Sequence, residues 1–263
     1  MSQKRIAVGI EYDGSRFCGW QMQTHDTRTV QDELQKALSR IVDHPVKLTC
    51  AGRTDTGVHA TSQVAHFDTT VDRQLKAYVM GSNVYLPDDV NVNWAKQVDD
   101  SFSARFSAFM RSYRYIILNR RARSALYSRQ VSWIYDTLNT EAMHEAAQAL
   151  LGKQDFSSFR SSACQAEHAI RVMDSISVTR SGDFIYIDVR ANAFLHHMVR
   201  NIVGSLLMVG RGEQAVSWIA ELLAMKDRTR AGPTAPPDGL YLIAVEYPAE
   251  YGLPSVGLRP QYS

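Results

Sequence analysis

The sequence predicts an α+β protein made of two similar α/β halves, whose largely antiparallel sheets join into one extended sheet with a central cleft. Segments of alternating polarity, which indicate strands, outnumber the helical segments that are long enough for crossover connections. Ser181-Gly182-Asp183 separates two such alternating segments and is typical of a hairpin. A chain of 263 residues suits one large domain or two smaller ones. We expect the halves to comprise residues 1–105 and 106–263.

The first half begins with a predicted strand, in which every second residue from Ile6 to Tyr12 is apolar or aromatic. Tyr12-Asp13-Gly14-Ser15 then indicates a turn. Apolar residues at helical spacing follow at positions 30–41, and Thr29 is the expected N-cap. The remaining elements are predicted as a strand at 46–50, a strand at 63–67, a helix at 73–80 and a strand at 90–94.

The second half has the same style of pattern. Met143, Ala147 and Leu150 share one face of a predicted helix over residues 140–151, and Gly152 is expected to end it. Residues 195–209 are strongly apolar at helical spacing and predict a buried helix. The other predictions are strands at 111–119, 170–179, 184–191 and 240–247, a helix at 214–224, and an irregular segment at 229–238 that holds three prolines.

The composition is that of an ordinary globular protein, with 45% apolar and 21% charged residues. No uninterrupted apolar run is long enough to cross a bilayer, so we expect no membrane association. The first five residues lead into an alternating segment rather than the apolar core of a signal peptide, which predicts a cytoplasmic location. The three cysteines are odd in number and widely spaced, which argues against a disulfide framework or a zinc site.

Basic and aromatic residues are interleaved in one stretch of the chain. Residues 101–135 hold seven arginines and no acidic residue. Arginine offers a forked donor to phosphate and aromatic rings offer stacking faces to bases, so the stretch fits a surface that faces a polyanion. A solvated pair of strands with scattered arginines is the alternative, and the complete absence of acidic residues favours the first interpretation.

The polar loop at residues 52–59 is the most informative segment for chemistry. Two glycines, Gly52 and Gly57, bracket Arg53 and Asp55 between two predicted strands. Glycine lets backbone approach a substrate closely, and a carboxylate on such a loop can serve as nucleophile or base. A tight turn in which Asp55 caps backbone amides is the plainer alternative.

Two further functions are compatible with parts of the sequence. Asp55-Thr56-Gly57 is the three-residue string of aspartic proteases, but such enzymes need two carboxylates that share a proton, and no second copy of the string exists here. A symmetric dimer could supply the second copy. A non-catalytic RNA-binding module would use the arginine–aromatic stretch equally well.

Five segments, in order, resemble one known family. Gly52-Arg53-Thr54-Asp55-Thr56-Gly57-Val58-His59-Ala60 resembles the signature of the tRNA pseudouridine synthase A family and departs from it only at Thr56, where the family usually has alanine. The other four segments are Tyr12-Asp13-Gly14 with Gly19-Trp20-Gln21; Ser112-Tyr113-Arg114-Tyr115; the helix segment from Phe194 to Gly204; and Ala235-Pro236-Pro237-Asp238-Gly239-Leu240. The resemblance covers nearly the whole chain, although Pro237 stands where alanine is commoner.

The resemblance implies an isomerase that converts uridine to pseudouridine at positions 38, 39 and 40 of the tRNA anticodon stem-loop. Such a reaction requires no redox cofactor, nucleotide energy or metal, so no cofactor is expected. The resemblance also implies a homodimer. In this interpretation the first half carries the catalytic loop and the second half completes the active-site cleft.

The resemblance also assigns roles to individual residues. Asp55 is the catalytic aspartate, and Tyr113 stacks on the target uracil. Arg200 sits within the apolar helix, where a buried arginine without a partner would be costly, so we expect it to pair with Asp55. The remaining substrate-binding candidates are Arg53, His59 and Leu240, and Arg111 and Arg114 are candidates for RNA binding. Each also has an ordinary structural reading: Tyr113 and Leu240 as core residues, Arg53 as a surface arginine, Arg200 as a helix-end arginine, and His59 as polar support for the loop.

Overall fold

A computed structural model of the protein describes residues 3–22, 27–254 and 259–262; the first two residues, Met1 and Ser2, lie outside the described ranges. The strands are β1 (Lys4–Tyr12), β2 (Thr49–Cys50), β3 (His59–Thr69), β4 (Val90–Val98), β5 (Met110–Asn119), β6 (Ser132–Ile134), β7 (Gly152–Asp155), β8 (Ile170–Ser181), β9 (Phe184–Ala191) and β10 (Leu240–Glu246). The α-helices are α1 (Val30–Val42), α2 (Ser82–Tyr85), α3 (Thr140–Ala147), α4 (Met198–Gly210) and α5 (Trp218–Met225).

The chain divides into two compact units. Unit 1 comprises residues 1–109 and 241–260, and unit 2 comprises residues 110–240 and 261–263. The division after residue 109 lies close to the expected boundary at residue 105. The closing strand differs from the expectation, because residues 241–260 belong to the first unit and not to the second.

The sheet of unit 1 has the strand order β4-β1-β3-β10, and β2 pairs with β3. Its pairings are antiparallel except for β10, which runs parallel to β3 with Tyr241 opposite His59. Consecutive residues of β1, from Ile6 to Ile10, are all buried, so both faces of this strand are covered and not one, as simple alternation suggests. Gly9 has no side chain here because the indole ring of Trp94 occupies the space that a Cβ atom would need.

The sheet of unit 2 has the order β5-β9-β8-β7 with antiparallel pairing, and β6 lies parallel to β5. The predicted hairpin is confirmed: β8 ends at Ser181, β9 begins at Phe184, and Gly182 adopts a φ of 55°. Helix α4 is buried on nearly all sides, which agrees with its apolar sequence. The α+β class with largely antiparallel sheets is confirmed.

Several predicted boundaries are wrong for local reasons. The helix predicted at 195–209 begins only at Met198, because His197 has a left-handed backbone with a φ of 60°. The helix predicted at 140–151 ends at Ala147; its last turn tightens into a 3-10 helix, and Gly152 begins a strand. The strand predicted at 46–50 shrinks to β2, and the helix predicted at 214–224 starts at Trp218. The helix predicted at 73–80 is mostly the π-helix Ala77–Gly81, and strands β6 and β7 were not predicted.

The helices are short. The longest, α1 and α4, have 13 residues each, so none of the helices in the described part of the chain could cross a membrane. The predicted N-cap of α1 is confirmed, because the Thr29 hydroxyl accepts a hydrogen bond from the amide of Asp32.

Candidate active site

The loop that carries Asp55 connects β2 to β3 in unit 1. Its backbone is fixed on both sides of Asp55: the amide of Trp20 donates to the Thr54 carbonyl at 3.0 Å, and the amide of Gly57 donates to the Phe17 carbonyl at 3.3 Å. Within the loop, the amide of Val58 donates to the Asp55 carbonyl at 3.1 Å. The Asp55 side chain is half-buried, so its carboxylate stands on a held backbone and is still accessible.

Glycines in the opening turn allow this close backbone packing. Gly19 has a φ of 84°, and a Cβ atom there would lie 2.8 Å from the Thr54 carbonyl oxygen. A Cβ atom on Gly14 would lie 1.9 Å from the Val58 carbonyl oxygen. The turn after β1 therefore packs closely against the candidate catalytic loop, which explains why the two motifs occur together.

Two buried polar side chains, those of Tyr12 and Gln63, hold the Asp55 loop by hydrogen bonds. The Tyr12 hydroxyl lies 2.8 Å from the Thr54 hydroxyl, and the Gln63 amide donates to the Gly52 carbonyl at 2.7 Å. All three side chains are buried. Gln63 escaped prediction because a single polar residue in a strand carries no local signal; only its fully buried position identifies it.

His59, a predicted substrate-binding residue, is itself 2% exposed and stacks on Tyr241 with ring centroids 4.6 Å apart. Its Nδ1 lies 3.1 Å from both the Gly14 amide nitrogen and Asp13 Oδ1. This nitrogen can accept from the amide when unprotonated or donate to the carboxylate when protonated. A hydrogen bond from His59, opposed by desolvation and aided by the Ser15 amide, holds the pKa of Asp13 well below its usual range.

Arg53 is the most exposed of the predicted residues on this loop. No hydrogen bond or ion pair holds its guanidinium group among the residues that the structure describes, so the group is available to an external anion.

The cysteines have no evident chemical role. Burial raises the pKa of Cys50 to about 12, although the charge of Arg53 opposes this shift, so the Cys50 thiol is unreactive at neutral pH. The three cysteines are all free thiols, as expected.

In unit 2, Tyr113 lies on β5 and is largely buried. Its ring packs edge-to-face on Phe194, with centroids 5.0 Å apart. Tyr115, two residues along the same strand, is fully buried, and its hydroxyl donates to the Pro236 carbonyl at 2.8 Å. Burial raises the pKa of Tyr115 far above its usual value. Tyr115 is therefore the core tyrosine of the pair.

Arg200 lies in the first turn of α4 and is partly exposed rather than fully buried. Its Nε donates to the Ala235 carbonyl at 2.8 Å, and the Ala235 amide donates back to the Arg200 carbonyl at 3.1 Å. The predicted pairing of Arg200 with Asp55 stays a prediction. Leu240 ends the loop that follows Ala235 and is 5% exposed.

A partly buried hydrogen-bond network that the sequence did not reveal fixes the loop before Leu240. Arg228 Nη2 donates to Asn201 Oδ1 and to the Thr234 hydroxyl, both at 3.0 Å, and the Thr234 hydroxyl donates to Asn201 at 2.7 Å. Asn201 directly follows Arg200 and is completely buried. The available signal was an asparagine within an otherwise apolar helix, because a buried amide requires partners.

The two predicted RNA-binding arginines both have partners inside unit 2. Arg114 donates from Nε and Nη2 to the two carboxylate oxygens of Asp188, each at 2.8 Å, and its guanidinium lies over the Tyr186 ring. Arg111 is buried and donates to the Asn192 carbonyl at 2.9 Å. Their role in binding RNA stays a prediction.

The chain is similar to known tRNA pseudouridine synthases. A family model described as tRNA pseudouridine synthase matches residues 9–107 and 146–248. The chain is 57% identical over 256 residues to tRNA pseudouridine synthase A of Aeromonas hydrophila subsp. hydrophila, covering 97% of this chain and 95% of that protein. It is 55% identical to the proteins of the same name from Pseudoalteromonas atlantica and Photobacterium profundum, covering 98% and 97% of this chain and 98% of each of them.

Proposed function

This chain belongs to the tRNA pseudouridine synthase family, and from that premise we propose that it modifies the uridines at positions 38, 39 and 40 of the anticodon stem-loop. It is an isomerase that converts uridine to pseudouridine in tRNA. The C–N glycosidic bond breaks, the uracil rotates, and a C–C bond forms to the same ribose. The choice of the three positions rests on the resemblance of the five sequence motifs.

Asp55 is the catalytic carboxylate in this proposal. The observation that carries it is the placement of an accessible carboxylate on a loop whose backbone is hydrogen-bonded immediately before and after it. Catalysis gains most from a group that does not need to be ordered during the reaction, because proximity and orientation are then already provided. Asp55 is also the one acidic residue between β2 and β3.

The other predicted residues supply binding functions in the same proposal. Tyr113 stacks its ring on the target uracil, and Leu240 forms an apolar wall beside it. The Arg200 guanidinium group pairs with Asp55. Exposed Arg53 holds a phosphate while the nucleotide leaves its stack, which requires a few kcal/mol. His59 acts through the loop, since its burial and its contacts with Gly14 and Tyr241 suit a supporting role.

A homodimer and a cytoplasmic location complete the proposal, by resemblance to the family. Sedimentation at working concentration tests the dimer, and a monomer there would contradict it. The alternative of an aspartic protease is no longer supported. The match to the family includes Asp55-Thr56-Gly57 and extends over nearly the full chain.

The test compares wild type with Asp55→Asn and Thr56→Ala. Pseudouridine is mapped in tRNA from cells that lack the protein and then receive each variant. We expect Asp55→Asn to bind tRNA but to form no pseudouridine, whereas Thr56→Ala, which restores the residue usual in the family, stays active. Thr56 is exposed and adjacent, so it controls for disturbance of the loop.

Each outcome has a distinct meaning. Pseudouridine formed by Asp55→Asn at the wild-type rate would refute the catalytic role. Restoration of pseudouridine at sites other than 38, 39 and 40 would refute the positional proposal and leave the family assignment intact.

A further inference from the structure

Several hydrogen-bonded arginines of unit 2 have a carboxylate partner. Arg114 pairs with Asp188, Arg190 with Asp174, and Arg211 with Asp136. These pairs neutralise the guanidinium charge within the protein. Other arginines of this unit, such as Arg180 and Arg228, donate to neutral acceptors. Two arginines of this second kind share one segment: Arg160, directly after the 3-10 helix Ser157–Phe159, and Arg171, near the start of β8.

Both guanidinium groups are held by neutral acceptors of the loop between them, residues 160–171. Arg160 Nη2 donates to the Cys164 carbonyl at 2.9 Å and to the Ala166 carbonyl. Arg171 Nη1 donates to the carbonyls of His168, at 3.1 Å, and Ile170, at 2.6 Å. Carbonyl acceptors fix the orientation of a guanidinium but leave its full positive charge in place.

No carboxylate lies within ion-pair distance of Arg160 or Arg171 in the described ranges. Glu167 belongs to the same loop, but it is exposed and pairs with neither. Arg171 Nε is buried and has no hydrogen-bond acceptor. Burial lowers the pKa of Arg171; Cys164 opposes this effect, and the charge of Arg160 adds to it. Two like charges therefore lie close enough to affect each other, and one Arg171 donor, Nε, lacks an acceptor.

The same loop also favours negative charge at one of its own atoms. Burial raises the pKa of the Cys164 thiol, but backbone amides of Ala166 and His196 together with the charge of Arg160 outweigh it, and the pKa falls below its usual value. The electrostatic environment of the loop is thus that of an anion site, which agrees with the two uncompensated guanidinium groups.

The loop is attached close to the proposed uracil-stacking residue. The Ser161 amide donates to the His196 carbonyl at 3.1 Å. His196 lies two residues from Phe194, and the Phe194 ring packs on Tyr113. A nucleotide stacked on Tyr113 would therefore have its neighbouring backbone within reach of this loop in unit 2.

We propose that Arg160 and Arg171 form a phosphate-binding site for the tRNA backbone next to the target nucleotide. The inference rests on the proposed function, since it requires tRNA as the substrate. Phosphate contacts of this kind set the position of a nucleic acid without reading its sequence. A guanidinium that is already oriented by carbonyls loses little entropy on binding, which makes arginine and not lysine the suitable residue.

The test measures the affinity for tRNA at several salt concentrations for Arg160→Gln, Arg171→Gln and Arg180→Gln. Removing one phosphate contact lowers the slope of log affinity against log salt by about 1, so each of the first two variants should show this change. We also expect their Kd to rise by roughly fivefold or more at about 0.1 M salt.

Arg180→Gln is the matched control. Arg180 lies on β8 like Arg171 and also donates to neutral acceptors, Asn119 Oδ1 at 2.8 Å and the Leu138 carbonyl at 3.1 Å. The two arginines are nine positions apart on an extended strand, a separation of roughly 30 Å. The substitution removes the same charge from a distant point, so affinity and slope should remain those of wild type.

Arg160→Lys and Arg171→Lys separate a phosphate site from a purely structural loop clamp. The lysine variants keep the charge, so they should keep the wild-type salt slope even if Tm falls. A wild-type slope in both glutamine variants, or an equal loss of slope in Arg180→Gln, would overturn the proposal. These readouts concern binding alone, so they are independent of whether Asp55→Asn forms pseudouridine.

Discussion

The hydroxyl groups of Tyr12 and Thr54 lie 2.8 Å apart in the interior of unit 1. Thr54 directly precedes Asp55, and Tyr12 is the last residue of β1. The contact thus joins the end of a rigid strand to the residue beside the candidate catalytic carboxylate. It makes the orientation of Asp55 dependent on a residue that would not touch substrate.

Tyr12→Phe should therefore reduce turnover more than binding. The Thr54 hydroxyl loses a buried partner, which lowers the free energy of unfolding by about 1 kcal/mol. A small displacement of the loop should lower kcat by about tenfold while KM changes little. Tyr78→Phe is the control, since Tyr78 is equally buried in unit 1 and donates to the Val71 carbonyl, outside the loop. A similar loss of kcat in the control would contradict the role of Tyr12.

Gly19→Ala should damage the loop in a way that a second glycine substitution does not. Gly19 and Gly182 both have positive φ, so alanine at either position is expected to lower stability by about 1 kcal/mol. A Cβ atom on Gly19 would meet the Thr54 carbonyl, whereas the space around Gly182 is open. In chemical denaturation, Gly19→Ala should lose as much free energy of unfolding as Gly182→Ala, or more. In kinetic assays, only Gly19→Ala should show a reduced kcat.

Arg114→Gln tests whether the pair with Asp188 is structural. The two side chains are only 10% and 24% exposed, so breaking the pair should lower the free energy of unfolding by about 2 kcal/mol. The double variant with Asp188→Asn should lose less than the sum of the single losses, by about 1 kcal/mol or more. A normal stability together with a reduced salt slope for tRNA binding would instead favour the RNA-binding role predicted from sequence.

The stability of the protein should depend on His66 at mildly acidic pH. Burial, with the charge of Arg5, lowers the pKa of His66 from 6.5 to about 4, while Asp68 opposes the shift. The unfolded chain therefore takes up a proton that the folded chain does not accept, and stability falls as the pH decreases from 6.5 towards about 4.

This loss of stability should amount to about 2 kcal/mol. The remaining contact of the ring with water keeps it below the value for the full pKa shift. His66→Asn keeps an acceptor for the Ala104 amide, which donates to Nδ1 at 3.1 Å in the wild type. Urea denaturation between pH 4 and pH 7 should show a flatter profile for the variant. An unchanged profile would assign the acid sensitivity to other groups.

The predictions that are confirmed rest on local signals in the sequence. The N-cap at Thr29, the hairpin around Gly182 and the irregular proline segment before Leu240 all follow from the conformational preferences of single residues. The predictions that are wrong concern segments whose conformation depends on their surroundings in the fold. Strand β6 has three residues and exists because it pairs with β5, and His197 delays the start of the apolar helix through a backbone conformation that few non-glycine residues adopt.

The candidate site shows the same division. The Asp55 loop was identifiable because its motif is contiguous, whereas Gln63, Asn201 and Arg228 were not, since each acts through partners distant in sequence. Arg114 looked like a surface arginine among aromatics, and only its contact with Asp188, 74 positions away, shows that its charge is balanced. Long-range partners of this kind cannot be read from spacing.

The parallel pairing of β10 with β3 has a consequence for biosynthesis. His59 receives its stacking partner, Tyr241, from this last strand, and Tyr247 and Tyr251 pack against Phe102 in the same unit. A chain still emerging from the ribosome, with only its first 240 residues made, would lack all three aromatic contacts. Unit 1 therefore reaches its final packing only after residues 241–251 have been synthesised, although the segment bearing Asp55 is made much earlier.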